Sequence, residues 1–379
     1  MSKRPLHTVF VRSVFIWSEV TVFLLGSQSP LDPWPHFPDH LFIIQYVSKR
    51  QRTGFSKSTV SRVVSGQGRR YRISEAAISK IQDEIRACGY TPDLIAQGLR
   101  TRRTNTVGLT IPSIDNPFFA SLSGNIITRL KRCGYNILLS DSMETEENER
   151  AAINSFVSRK VDGIIAVPVS KSPSFIEGVS ASIPVVLIDR YYENTFLPYV
   201  CTDNYAGARR ATEYLLSKGY RNIMAIQGVR SSMPNKERVK GFLDAVRLGG
   251  TPDAEGFVTG DSFSVENGAR EIEAVLSAGM KIDAVFAFST TILLGVIRSL
   301  REHGLRIPDD VAVVSFDDNV FLDYMDPPIS RVAQNTDRMG EATVDILMKL
   351  MSSSGSGGES GMEDGQMLIM PELIIRGSC

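Results

Sequence analysis

Thr106-Val-Gly-Leu-Thr-Ile-Pro112, followed closely by Asp115-Asn-Pro-Phe-Phe119, sets a pattern that governs most of the chain. A short run of Val, Leu and Ile ends in polar residues, and a helical stretch follows. The apolar run returns at Tyr135–Ser140, Gly163–Val167, Val185–Ile188, Ile223–Ile226, Ala284–Phe288 and Val311–Phe316, with helices such as Ala206–Leu216 and Ile292–Glu302 between. These runs are nearly continuous in apolar residues, as expected of parallel strands buried on both faces. Their alternation with helices predicts a parallel α/β body, and its length suits two similar lobes. A last strand is expected over Met367–Ile375, after a Ser/Gly-rich loop at Ser352–Gly358.

Ligands of such sheets gather beyond the carboxyl ends of the strands. There the sequence places Asn116, Phe118 and Phe119, then Asp189 and Arg190, then Asp317 and Asp318, and Gln334 after the Ile329–Ala333 run. Arg238 stands within Lys236-Glu-Arg-Val-Lys-Gly-Phe242. Taken singly, a strand-end Asp is more often a loop cap, and Phe-Phe is more often core.

Upstream of this body the charge changes sign. The whole chain balances 42 basic against 42 acidic residues, but residues 46–103 carry 13 Lys and Arg against 4 Asp and Glu, a net charge of +9. After Arg103 stand 26 basic and 35 acidic residues, a net −9. A small basic head before an acidic body points to a polyanionic partner. Within the head, Gly54-Phe-Ser-Lys-Ser-Thr-Val-Ser-Arg-Val-Val64 reads as the turn and second helix of a helix-turn-helix, with Ser56 as its N-cap. Val60, Val63 and Val64 follow helical spacing for a small core, and Lys57, Ser58, Ser61 and Arg62 take the other face. Such a face can meet base edges in the major groove, although an ordinary amphipathic surface helix has the same pattern. Arg69, Arg70 and Arg72 follow, then Ser74 as a second N-cap and a core stripe of Ile78, Ile81, Ile85 and Cys88. Asp93–Arg103 is a short, basic and potentially helical segment.

The remaining features mostly exclude. A chain of 379 residues, 42% hydrophobic and 22% charged with a mean hydropathy of −0.04, has the composition of a soluble globular protein of two or three domains. Cys88, Cys133, Cys201 and Cys379 are scattered, against both a disulfide framework and a zinc finger. HExxH, GxSxG and GxxxxGK[ST] are absent from the sequence, and Gly66-Gln-Gly68 lacks the third glycine of a dinucleotide fingerprint. No cofactor, metal site or catalytic residue is therefore expected, and the chain reads as a non-enzyme. Residues 8–25 are apolar but interrupted by Arg12 and Glu19, short of the ~20 residues of a spanning helix. Residues 1–45 are expected to be a non-functional extension, as from a start codon called too far upstream; a membrane-associated segment is the alternative.

The order TVSRVV, RIS and GYTPDLIAQGL, followed by the strand TVGLTIP, resembles the LacI/GalR (lactose-repressor-like) family of bacterial transcriptional regulators, from about Ser48 to the C-terminus. The resemblance implies an extension at 1–45, a helix-turn-helix DNA-binding domain at 46–91, a hinge helix at 92–104, and a two-lobed effector-binding and dimerisation domain of the periplasmic-binding-protein type at 105–379. It implies that Lys57, Ser58, Ser61 and Arg62 read bases and that Arg69, Arg70 and Arg72 hold phosphates. Leu99 would wedge into the minor groove. Asn116, Asp189, Arg190, Arg238, Asp317 and Gln334 would hydrogen-bond a sugar on which Phe118 and Phe119 stack. The sequence departs from the family twice. The first-helix pattern DVAxxAGVS is not matched at Ser48, Lys49 and Arg50, and Ser289-Thr290 stands where the family often has Asn-Asp. The expected function is a cytoplasmic, ligand-responsive regulator, a repressor, that binds a near-palindromic double-stranded DNA operator as a homodimer without membrane contact. The alternative is a sugar-binding protein without DNA function.

Overall fold

Val60, Val63 and Ile81, each at most 5% exposed, centre a small core that Phe55, Val64, Ile73, Ile78 and Ile85 complete. They belong to the first of two compact units, Met1–Pro92 and Asp93–Cys379, in a computed structural model that describes residues 54–64, 66–87, 103–249, 258–353 and 365–379. The valines sit on the helix Lys57–Val64 and Ile81 on the helix Glu75–Ala87. Both expected N-caps form: Ser56 Oγ accepts from Thr59 N at 3.2 Å, and Ser74 Oγ from Ala77 N at 3.3 Å. The glycine of the failed dinucleotide fingerprint has a local duty. Gly66, at φ +69°, ends the helix Lys57–Val64, with Gly66 N donating to Val63 O and Gln67 N to Arg62 O, the paired bonds of a Schellman cap. The expected extension at 1–45, the first-helix stretch to Thr53, Cys88 and the hinge segment to Arg102, Leu99 included, lie outside the described residues.

Among the described residues the second unit holds twelve strands: β1 (Thr106–Ile111), β2 (Asn136–Asp141), β3 (Gly163–Ala166), β4 (Val185–Ile188), β5 (Tyr199–Thr202), β6 (Ile223–Ile226), β7 (Val258–Thr259), β8 (Ala284–Ala287), β9 (Ala312–Phe316), β10 (Ser330–Ala333), β11 (Gln366–Ile369) and β12 (Glu372–Ile374). They form two six-stranded sheets, ordered β2-β1-β3-β4-β5-β11 and β7-β6-β8-β9-β10-β12. The second order repeats the first, strand for strand, so the unit is two lobes of one design. Every pairing is parallel except β10 with β12. β3, β4, β6, β8, β9 and β10 are buried throughout, which is why the first four run apolar without alternation; β9 carries Ser315 and β10 carries Ser330 and Arg331 within the buried run. The second lobe centres on Phe242, Phe286, Phe288 and Phe316, and the first lobe packs one apolar layer on each side of its sheet.

The expected single strand Met367–Ile375 is two. Pro371 has no N–H to give a ladder, and the chain breaks there. β11 joins the first sheet beside β5 and β12 the second beside β10. This is one of three crossings between lobes, the others running from Thr202 to Asn204 and from Ala333 to Thr336. β5, not anticipated from the sequence, leads into the first of them.

Candidate functional site

The cleft between the lobes is lined by Asn116, Phe118, Phe119, Asp189, Arg190, Arg238, Asp317 and Gln334, together with Pro234, Phe263 and Ser289. All eight residues expected there are brought together, from two lobes and one crossing. The strand order explains it. β1 lies between β2 and β3, so chain direction across the sheet reverses there, and the space beyond its carboxyl end is open. Asn116 leaves that end. Its Oδ1 caps the helix Pro117–Arg132 by accepting from Phe118 N at 3.0 Å, while Phe118 and Phe119 pack edge to face with centroids 5.1 Å apart.

Asp189 ends β4 and Asp317 ends β9, equivalent strands of the two lobes. Both adopt left-handed backbone, at φ +63° and +77°, a conformation uncommon for any residue with a Cβ and characteristic of functional sites. Both are buried. Burial pushes the Asp189 carboxyl up to about 6, against the pull of Arg190 and Arg238. Asp317 is also raised by burial, opposed by Arg238, Gln334 and Thr290. Its Oδ1 accepts from Gln334 Nε2 at 2.6 Å and its Oδ2 from Thr290 N at 3.2 Å. Asp189 Oδ1, by contrast, is buried and has no hydrogen-bond partner among the described residues.

Two guanidiniums complete the cleft. Arg190 forks onto Glu144 with two bonds of 2.7 Å, and its nearest approach to Asp189 is 4.0 Å. Burial opposes its charge, but Glu144 outweighs that and holds the Arg190 pKa above its ordinary value. Arg238 donates to Asn204 Oδ1 at 2.7 Å and to Phe288 O, lies 3.7 Å from the centre of the Phe316 ring, and stands 4.0 Å from Asp317. Burial lowers its pKa. Gln334 joins the lobes, because its Oε1 accepts from Thr202 of the first while its Nε2 donates to Asp317 of the second. With these groups bonded to one another, free space in the cleft is about 20 Å³, room for one water-sized group.

Asn204, Glu144, Thr202 and Phe263 were not anticipated. Asn204 lies two residues beyond β5 and Glu144 three residues beyond β2, so strand-end position was the available signal. Ser289-Thr290 serves structure: Ser289 Oγ caps the helix Thr290–Glu302 from 3.2 Å, and Thr290 N holds Asp317.

In the head, Lys57, Ser58 and Arg62 are exposed and Ser61 half-buried on one helix. The Arg62 guanidinium lies 4.1 Å from the centre of the Tyr71 ring, a platform not anticipated from the sequence. Arg69, Arg70 and Arg72 are exposed in the connection to the second helix; Arg69 pairs with Glu75 at 2.8 Å, and Arg72 has φ +54°. The +9 charge is thus carried in part by side chains open to solvent.

Among known proteins, a periplasmic binding protein-like domain profile matches residues 212–379. The chain is 26% identical to the ribose operon repressor of Escherichia coli, over 86% of this chain and 96% of that protein. It also superposes on a solved complex of the transcriptional regulator CelR with cellobiose at a TM-score of 0.65 and 26% identity, covering 89% of this chain and 99% of that one. The HTH-type transcriptional regulator DegA of Bacillus subtilis is 30% identical over 330 residues, 86% of this chain and 95% of the relative. Among the described residues no helix is long and apolar enough to cross a membrane. With that extent of likeness, head and body alike, the chain belongs to the LacI/GalR family of transcriptional regulators.

Proposed function

We propose that this protein is a sugar-responsive transcriptional repressor that works in the cytoplasm, binds a near-palindromic DNA operator as a homodimer, and acts by binding without catalysis. The observation that carries the reading is the cleft: eight residues from two lobes and one crossing converge on one polar, aromatic-walled space. Carboxylates and guanidiniums suit vicinal hydroxyls, aromatic faces suit the apolar C–H surface of a sugar, and Asp189 Oδ1 is an acceptor awaiting a donor. A sugar ring does not fit in about 20 Å³, so binding requires the lobes or their side chains to part. The ligand thereby discriminates between two lobe arrangements, and it shifts their balance by its difference in affinity for them. Operator and sugar must then alter each other's affinity by the same factor.

On the DNA side, Lys57, Ser58, Ser61 and Arg62 are assigned to base edges and Arg69, Arg70 and Arg72 to phosphates, with Leu99 as the minor-groove wedge of a hinge helix. Two-fold symmetry of the dimer would be mirrored in the half-sites. The test is retention of mixed genomic fragments by the full chain in a mobility-shift assay, repeated with pentoses, hexoses and disaccharides. The expected result is a small set of fragments sharing a near-palindrome, with retention changed by one sugar class. Sugar binding without fragment retention would leave a sugar-binding protein without DNA function. Retention unaffected by every sugar would move the effector to another chemical class.

A further inference from the structure

The helix Met233–Leu248 has two working faces. One turns Pro234 and Arg238 toward the cleft; another borders a separate open groove of about 330 Å³ on the second lobe. Four cations line that groove, Arg230, Lys236, Lys240 and Arg247, against a single carboxylate, Asp244. Lys236 and Lys240 stand one helical turn apart, a like-charge spacing that weakens an isolated helix. Nothing in the fold requires it, since all four cations are exposed and the helix is held by its buried Phe242, Ala245 and Val246. The one carboxylate is shared already: Asp244 accepts from Tyr205 Oη at 3.1 Å and pairs with Arg247 at 3.8 Å. Arg230 is anchored by its Nε to Gly260 O at 3.2 Å, and Lys240 lies 5.4 Å from the centre of the Tyr205 ring. Buried Asn235, also at the groove, is fixed by Gly228 N and Gln227 Oε1, so the base of the groove is preformed.

We propose that this groove is a second ligand site, distinct from the cleft, for a small molecule bearing two or more phosphate groups. At 1.5 Å per residue the cations from Lys236 to Arg247 spread over about 16 Å of helix, which suits several phosphates better than one. The concave shape and the preformed base suit a small molecule.

The probe is pyrophosphate, titrated calorimetrically into the full chain at fixed ionic strength. Saturable binding is expected in the wild type, at least about tenfold weaker in Lys236→Gln/Lys240→Gln, because two charge-assisted contacts are lost. Lys236→Arg/Lys240→Arg should keep binding within about threefold, and all three proteins should melt alike, since neither lysine is buried. Absence of saturable binding in the wild type overturns the site. So does equal binding by the Gln variant, or equal competition by sulfate at matched ionic strength. Binding that survives the Gln substitutions but is lost in Arg190→Ala would place the anion in the cleft instead, and also sinks the proposal.

Discussion

Asp189 and Asp317 hold the same place in two lobes of the same strand order, and both are buried in left-handed backbone. Their surroundings differ. Asp317 spends both oxygens inside the protein, on Gln334 and Thr290, and faces Arg238 at 4.0 Å. Asp189 sits beside an Arg190 already committed to Glu144, and its Oδ1 is left unbonded. Leaving a buried acceptor unbonded costs about 1–3 kcal/mol. A duplicated architecture has thus diverged: one aspartate ties the lobes together, and the other keeps a buried acceptor without a hydrogen-bond partner among the described residues.

The comparison breaks most severely at Arg238. Arg238→Ala deprives Asn204, Phe288 O and Asp317 of a partner at once, and it should lower stability to denaturant by about 3–5 kcal/mol, as for a broken buried pair. Arg238→Met, which fills the volume over Phe316, should lose less. Equal losses in the two variants would mean that the charge and its hydrogen bonds, and not the packing over Phe316, account for the whole effect.

Next come the aspartates themselves. A carboxyl at about 6 in the fold and 3.8 unfolded holds more protons when folded, so its contribution is most favourable at low pH and is lost as pH rises through that window. For Asp189 this amounts to about 3 kcal/mol. Asp189→Asn should therefore raise stability above pH 6 by up to about that amount, flatten the slope between about pH 4 and 6, and weaken sugar binding. Asp317→Asn also removes a carboxyl that burial raises, so it gains stability from the lost charge, but less than Asp189→Asn does. Its new amide N–H would oppose a donor, Thr290 N or Gln334 Nε2, at a cost of about 1–3 kcal/mol. Denaturation midpoints of both variants across pH 4.5–8 decide it; equal gains in the two variants would erase the distinction. Gln334→Ala, which leaves Thr202 Oγ1 only the weak Met339 Sδ acceptor and takes the Gln334 donor from Asp317 Oδ1, should cost about 1–2 kcal/mol, with its larger effect on the sugar concentration needed for the response.

What could be read from the sequence was what repeats. Uninterrupted apolar runs are set by burial on both faces, so six of the seven strands read this way were legible for that reason. β2, at the sheet edge with no buried residue, was found only by its Ile-Leu-Leu run, and the polar residues at the strand ends located the cleft. β5 escaped because Tyr199-Val-Cys-Thr202 is short and mixed, and with it went Asn204, the partner of Arg238. Met367–Ile375 reads as one strand because β propensity is local, whereas the division at Pro371 between two sheets is tertiary. The bonding of Asp189 and Asp317 could not be read at all. Both are an Asp after a strand, and the difference lies in Glu144 and Gln334, remote in sequence and adjacent only in the fold.

The smallest effect separates structure from recognition at two caps. Asn116 in the first lobe and Ser289 in the second each begin a helix at the cleft, and each side chain accepts from the helix, at Phe118 N and Ile292 N. Removing either cap, as Asn116→Ala or Ser289→Ala, should cost about 1 kcal/mol in denaturant unfolding. Asn116→Asp is the finer probe. An Asp caps as well as an Asn, so stability should hold within a few tenths of a kcal/mol. The amide donor is gone, however, and a second carboxylate faces Asp189. If Asn116 meets the sugar through its Nδ2, affinity falls in Asn116→Asp while Ser289→Ala, whose hydroxyl serves its own helix, binds as the wild type does. Unchanged affinity in Asn116→Asp would reduce Asn116 to a cap and leave recognition in the first lobe to Asp189, Arg190 and the two phenylalanines.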